Sequence, residues 1–172
     1  KMSNMFWKAL SFNQPIGSWN VSNVTDMVGM FLGAISFNQP IGDWNVSNVT
    51  NMKSMFQDAE SFNQPIGDWD VSNVTDMSNL FMSTDGEDYP VFNQPIGRWD
   101  VSNVKSMINM FQASSFNQPI GEWNVSNVTD MYGMFRSAKF NQPIGNWNVS
   151  NVRNMISMFM QATKFNQPIG DW

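Results

Sequence analysis

The apolar residues of the first complete repeat fall at Phe12, Ile16, Trp19, Val21, Val24, Met27, Met30, Phe31 and Ala34, with polar or small residues filling most of the other positions. Two periodicities meet in that pattern. From Trp19 to Val21 the step is two, which puts both side chains on one face of a short strand. From Met27 through Met30 and Phe31 to Ala34 the steps are three, one and three, which predicts a helix of about two turns. Between them, Ser22-Asn23-Val24-Thr25-Asp26 offers small polar side chains to the free N–H groups that open a helix, with Asp26 at the positive end of its dipole. Gln14-Pro15-Ile16-Gly17 fits a tight turn, Pro pre-setting φ at the second position. So short a helix is marginal alone and depends on stacked neighbours.

The pattern repeats. Phe-Asn-Gln-Pro-Ile-Gly-x-Trp opens at Phe12, Phe37, Phe62, Phe92, Phe116, Phe140 and Phe165, at spacings of 25, 25, 30, 24, 24 and 25 residues. The Met-rich frame returns with it, from Met2/Met5/Phe6 to Met155/Met158/Phe159. Self-similarity at this period points to an α/β solenoid, with one short parallel strand around Trp-Asn-Val and one short helix around Met-x-x-Met-Phe in each coil. Residues 1–172 read as one continuous array of about seven coils, uncapped at both ends. The one long insertion, Met82 to Val91, is polar and contains Gly and Pro, and it reads as a protruding loop.

Composition narrows the functional classes. Fifteen Met, fourteen Phe and eight Trp must supply most of the core. A net charge of −5 with scattered basic residues argues against a nucleic-acid partner. The absence of cysteine and histidine removes thiolate sites, most zinc sites and most general-base chemistry. No run approaches the ~20 apolar residues that span a bilayer. No signal peptide is visible, since Lys1 to Phe6 already belongs to the repeat.

The unit F-N-Q-P-I-G-x-W-[ND]-V-S-N-V-T-x-M-x-x-M-F-x-x-A, which covers essentially the whole chain, resembles the repeat of bacterial surface proteins and mycoplasma-type surface lipoproteins, related to BspA-like leucine-rich repeats. The Ile-x-x-Trp-x-Val-x-x-Val spacing also resembles the strand of a leucine-rich repeat. The resemblance implies an extracellular or cell-surface leucine-rich-repeat-like solenoid used for adhesion or recognition. The localisation rests on the resemblance, because no export signal or anchor is visible in this chain.

Several columns invite a chemical reading. The Trp column from Trp19 to Trp172 would suit stacking on sugars, but its step with Ile and Val favours the core. The Asn column from Asn13 to Asn166 reads as a structural ladder between coils. Asn20, Asn23, Asn45, Asn48, Asn73, Asn124, Asn127 and Asn148 lie in glycosylation sequons, relevant only in a eukaryote. Acidic residues recur around the Trp at Asp43, Asp68, Asp70, Asp100, Glu122 and Asp171, and Asp85, Glu87 and Asp88 in the insertion are weak calcium candidates. On the predicted helices the frame is constant while neighbouring positions vary. Val28, Leu32, Ile108, Tyr132, Ile156 and Met160 are therefore partner-contact candidates, unless they pack between adjacent helices.

The expected role is non-enzymatic, with no cofactor: protein–protein interaction, adhesion, or end-to-end self-association into filaments. A carbohydrate- or calcium-binding surface module is the alternative. Ice or mineral binding through a Ser22/Thr25-type hydroxyl array is weaker, because Lys105 and Arg153 interrupt it.

Overall fold

The computed structural model describes residues 1–84 and 90–172. Successive repeats lie on one another as parallel rungs, six complete ones beginning at Phe12, Phe37, Phe62, Phe92, Phe116 and Phe140. The α/β architecture expected above is not adopted. The described residues contain no helix, and pairing is limited to isolated parallel bridges linking Asp26, Asn51, Asp76, Ser106, Asp130 and Asn154 in turn. The bridge thus falls just before the first Met of each rung and not at Trp-Asn-Val.

The reason the Met-rich segment is not helical lies in its backbone handedness. The residue two after the first Met has a positive φ in every rung, from Gly29 (59°) and Ser54 (56°) through Asn79 (58°) and Asn109 (51°) to Gly133 (59°) and Ser157 (60°). A second left-handed residue sits two after the Phe, as at Gly33 (68°), Asp58 (54°) and Ala113 (48°). Two such residues four apart exclude a right-handed α-helix. They build consecutive tight turns instead, with the Met30 N–H donating to Met27 O at 3.2 Å and Ala34 to Phe31 O at 3.0 Å.

The backbone N–H groups of this segment are all accounted for. N–H groups of Met27, Gly29, Phe31 and Gly33 donate across to Asn51, Lys53, Met55 and Gln57 of the next rung at 3.1, 2.9, 2.9 and 2.8 Å. Those of Met30, Leu32 and Ala34 turn back within the rung, and Val28 donates to Asp26 Oδ1 at 3.1 Å. Odd residues bind between rungs and even ones within, so no donor is left over from Met27 to Ala34. Asp26 therefore closes a local turn and caps no helix.

The other half of each rung is held differently. Trp44 N–H donates to Ile41 O and Val49 N–H to Val46 O, both local turns. Apart from main-chain bonds at the Thr column, such as Thr50 N–H to Thr25 O at 2.9 Å, the cross-rung bonds here come mostly from side chains. Asn13 Oδ1 accepts from the Asn38 N–H at 3.0 Å and from Gln39 Nε2, Trp44 Nε1 donates to Ile16 O at 3.2 Å, and Asn48 Nδ2 donates to Ser22 O at 2.8 Å. Each of these recurs up the stack, as at Asn93–Asn63, Trp99–Ile66 and Asn103–Ser72. The step of two from Trp to Val does bury both, with Trp44 at 3% and Val46 at 1% exposure, yet it makes no strand.

Inside, the rungs stack ring on ring. Phe31 lies 4.1 Å from Phe37, which opens the following rung, and 5.6 Å from Phe56, its counterpart in that rung, with planes within 8° and 6° of parallel. Met27 and Met30 fill the space beside them with no exposure. The invariant glycine is set by the neighbouring rung. A Cβ on Gly67 would lie 2.4 Å from the backbone oxygen of Pro95, and at Gly17 the same contact with Pro40 would be 2.6 Å.

Candidate interaction surfaces

The columns that looked most like sites are structural. From Trp44 to Trp147 the Trp side chains of the column are buried with their indole N–H groups bound to main-chain carbonyls, so they present no stacking platform, while Trp19 and Trp172 at its ends are half-buried. The Asn13-type amides are consumed by the ladder. The Thr hydroxyls are also engaged, Thr50 Oγ1 donating to Thr25 O at 3.2 Å and Thr75 Oγ1 to Thr50 O at 3.1 Å. A free hydroxyl template for ice is thereby lost.

The sequon asparagines divide into two kinds. In Asn20, Asn45 and Asn124 the Oδ1 accepts from both the N–H and the hydroxyl of the serine two residues on, and in Asn148 from the N–H of Ser150. In Asn48, Asn73 and Asn127 it is the Nδ2 that is committed, to the Ser carbonyl of the preceding rung. A glycan there would replace one of the two hydrogens on a nitrogen already committed to the ladder. Asn23 opens the same column in the first complete rung and is exposed.

The acidic edge is dispersed. Asp43, Asp68 and Glu122 are exposed in one column interrupted by Arg98, and Asp70 and Asp100 take the turn role of Asn20. At Asp100 the hydroxyl and then the N–H of Ser102 hold the carboxyl below its ordinary 3.8, against the opposing effect of burial. At Asp26 burial pushes upward but bonds from Val28, Ser3 and Lys1 and the Lys1 charge outweigh it, leaving the carboxyl lowered; its oxygen is 3.4 Å from Lys1 Nζ. Among the described residues no cluster of acidic side chains is arranged to hold a metal. The calcium candidates Asp85, Glu87 and Asp88 lie outside the described residues. Among the described residues no helix is long and apolar enough to cross a membrane.

The variable positions do form a surface. Val28, Leu32, Ile108 and Tyr132 are half-buried, while Ile156 and Met160 are exposed by 67% and 40%. Their backbones are fixed by the ladder on either side, so their side chains are free of any bonding duty in the frame.

One feature escapes the repeat pattern at first sight. A groove of about 450 Å³ is lined by Thr84, Gln112, Arg136, Ser137, Lys139, Gln161, Thr163 and Lys164 among others, and by no carboxylate among the described residues. It crosses rungs three to six on the side where each rung joins the next. Two sequence signals could have located it. Serine precedes the motif Phe at Ser11, Ser36, Ser61 and Ser115 but is lysine at Lys139 and Lys164, and the joints of rungs four and five are one residue shorter than those of their regular neighbours.

The comparison with family models matches the description "Mycoplasma protein of unknown function, DUF285" twice in tandem, over residues 1–90 and 82–172. The chain belongs to this repeat family. Neither the curated proteins nor the solved structures gave a match.

Proposed function

We propose that the chain is a non-enzymatic surface repeat protein that mediates protein–protein contact or adhesion. The observation that carries this reading is the separation of duties within each rung. An invariant half supplies the frame, and the outward positions of the Met-rich half vary without cost to it. Extended stacks of this kind offer large, tunable surfaces. Absence of catalysis is part of the same reading. The Ser and Thr hydroxyls are turn and ladder donors, histidine is missing, and Asp43 and Asp68, which share a small cleft with Pro65 and Gly67, are both exposed to water. Extracellular display, and kinship with BspA-like leucine-rich repeats, rest on the motif alone.

The test is adhesion by the purified chain. Beads coated with it are applied to cell monolayers and to immobilised matrix proteins, beside beads carrying the variant Val28→Ser/Leu32→Ser/Ile108→Ser/Tyr132→Ser. The proposal requires retention of the unaltered chain and its loss in the variant at an unchanged melting temperature. Equal retention of both, or of neither, contradicts it.

A further inference from the structure

The stack is built in levels, each setting the Met-rich half of one rung beside the constant half of the next, as with Phe6 and Phe12 at 4.0 Å, Phe31 and Phe37 at 4.1 Å, and Phe159 and Phe165 at 4.1 Å. Between levels the bonds of each half run one way. In the Met-rich half the earlier level donates from alternate N–H groups to the later one. In the constant half the later level donates to the earlier, through the Asn38-type N–H, the Gln39-type amide and the Trp44-type indole.

The two outermost levels are consequently unlike and complementary. Among the described residues the carbonyls of Lys1, Ser3, Met5 and Trp7 accept no hydrogen bond, and the Asn13 N–H, the Gln14 amide and the Trp19 indole donate none. At the other end the N–H groups of Met155, Ser157, Phe159 and Gln161 donate none, and Asn166 Oδ1 accepts none. Ile169 O lacks the indole that Ile144 O receives from Trp172 at 3.3 Å. Each face holds, position for position, what the other leaves unpaired.

A glycine points the same way. From Gly17 to Gly145 a Cβ would lie between 2.4 and 2.7 Å from the Pro oxygen of the following level, yet at Gly170 nothing lies within 4 Å and φ is not positive. Nothing in the chain itself requires a glycine there. Set on the first level of another copy, Gly170 meets the Pro15 carbonyl as Gly145 meets that of Pro168.

The side chains agree in the same register. Ser157 falls on Asn4, a pairing that Ser54 and Asn79 already make through Asn79 Nδ2 at 3.3 Å. Met160, 40% exposed, falls on Trp7, 57% exposed, and Met158 falls on Met5, which is 51% exposed where Met30 and Met55 are fully buried. An apolar hollow of about 410 Å³, lined by Met155, Met158, Phe159, Ile169 and Trp172 among others, is covered in the process. Lys1 falls on Asn154, Lys8 on Gln161, and Lys164 and Asp171 on Ser11 and Ser18, so no like charges are opposed.

We propose that the occupant of each outermost face is a second copy of this chain, the last level of one seated on the first level of the next in the register used within the stack. Because the contact joins two different faces and does not close on itself, the product is a filament. The contact leaves the Val28–Leu32 side uncovered and is separate from adhesion through it.

Sedimentation velocity of the whole chain, from about 1 µM to about 1 mM, reads the assembly. The unaltered chain grows from monomer into a series of multimers. Gly170→Ala, whose methyl meets nothing in its own chain but falls against the Pro15 carbonyl of the next copy, weakens association at least about tenfold. Met5→Glu, which sets a carboxylate against Met158 of the copy before it, does the same. Both variants keep the melting temperature of the unaltered chain in dilute solution. Each blocks one face only, so an equimolar mixture of the two forms a one-to-one dimer and goes no further. The variant Val28→Ser/Leu32→Ser/Ile108→Ser/Tyr132→Ser assembles as the unaltered chain does. The proposal is overturned if the unaltered chain stays monomeric throughout, or if either single variant grows as it does. It is overturned equally if the mixture stays monomeric or exceeds the dimer, or if the four-serine variant loses assembly.

Discussion

The two halves of each rung solve the same problem with different atoms. In Phe-Asn-Gln-Pro-Ile-Gly-x-Trp the bonds to the neighbouring rung come from side chains: the Asn13-type amide, the Gln39-type amide and the Trp44-type indole. In Met-x-x-Met-Phe they come from the main chain, through alternate N–H groups such as Met27, Gly29 and Phe31. A bond made by a side chain fixes the residue type, and one made by the backbone leaves the side chain free. That difference explains why one half is nearly constant along the chain and the other tolerates Val28, Lys53, Ser78, Ile108, Tyr132 and Ile156 at one position.

The comparison can be broken most sharply at the glycine of the constant half. Gly67→Ala forces a methyl to within 2.4 Å of the Pro95 carbonyl oxygen, and two rungs must part. A loss of about 3 kcal/mol is expected by denaturant melts, as for severe overpacking. Gly170→Ala, where nothing lies within 4 Å, is the matched control and changes little.

Next in size is Asn63→Ala. It removes the acceptor of the Asn93 N–H, while the Gln94 amide keeps its bond to the Asn63 main-chain carbonyl at 3.0 Å, and it costs about 1 kcal/mol. In the variable half the sign reverses at one position. Ala113 holds a φ of 48°, which a side chain resists, so Ala113→Gly raises stability by about 1 kcal/mol, net of the freedom gained by the unfolded chain. Leu32→Gln, which installs the residue of Gln57 and Gln112, leaves stability within about 0.5 kcal/mol.

The smallest effect is in acid. Because the Asp100 carboxyl is held below 3.8 in the folded chain, its contribution is present above that pH and fades as pH falls through the lowered value. Asp100→Asn keeps the turn as Asn20 and Asn45 do, so the unfolding midpoint of this variant falls less between about pH 5 and about pH 2.

The repeat, its register and its core were legible in the residues. Phe, Ile, Trp, Val and Met at fixed spacing are the buried set, and the Asn column is the ladder it resembled. The secondary structure was not, because hydrophobic period reports which side chains face inward and not the hand of the backbone between them. Met27, Met30, Phe31 and Ala34 point inward with helical spacing on a path that turns left at Gly29 and Gly33. The column Asn4, Gly29, Ser54, Asn79, Asn109, Gly133 and Ser157 carried that information, since Gly and Asn are the residues that accept a positive φ. The basic groove was hidden for a different reason: it depends on two missing residues and two lysines in separate rungs, which adjoin only once the rungs are stacked.

Amide hydrogen exchange in Asn63→Ala tests the division between the two halves most directly. Exchange at the Asn93 N–H, which the Asn63 side chain holds at 3.0 Å, should accelerate, while Met77, Asn79 and Phe81, bonded to the next rung through Ser106, Ile108 and Met110 carbonyls, keep their protection. Unchanged protection at Asn93, or equal loss at all four amides, would contradict it.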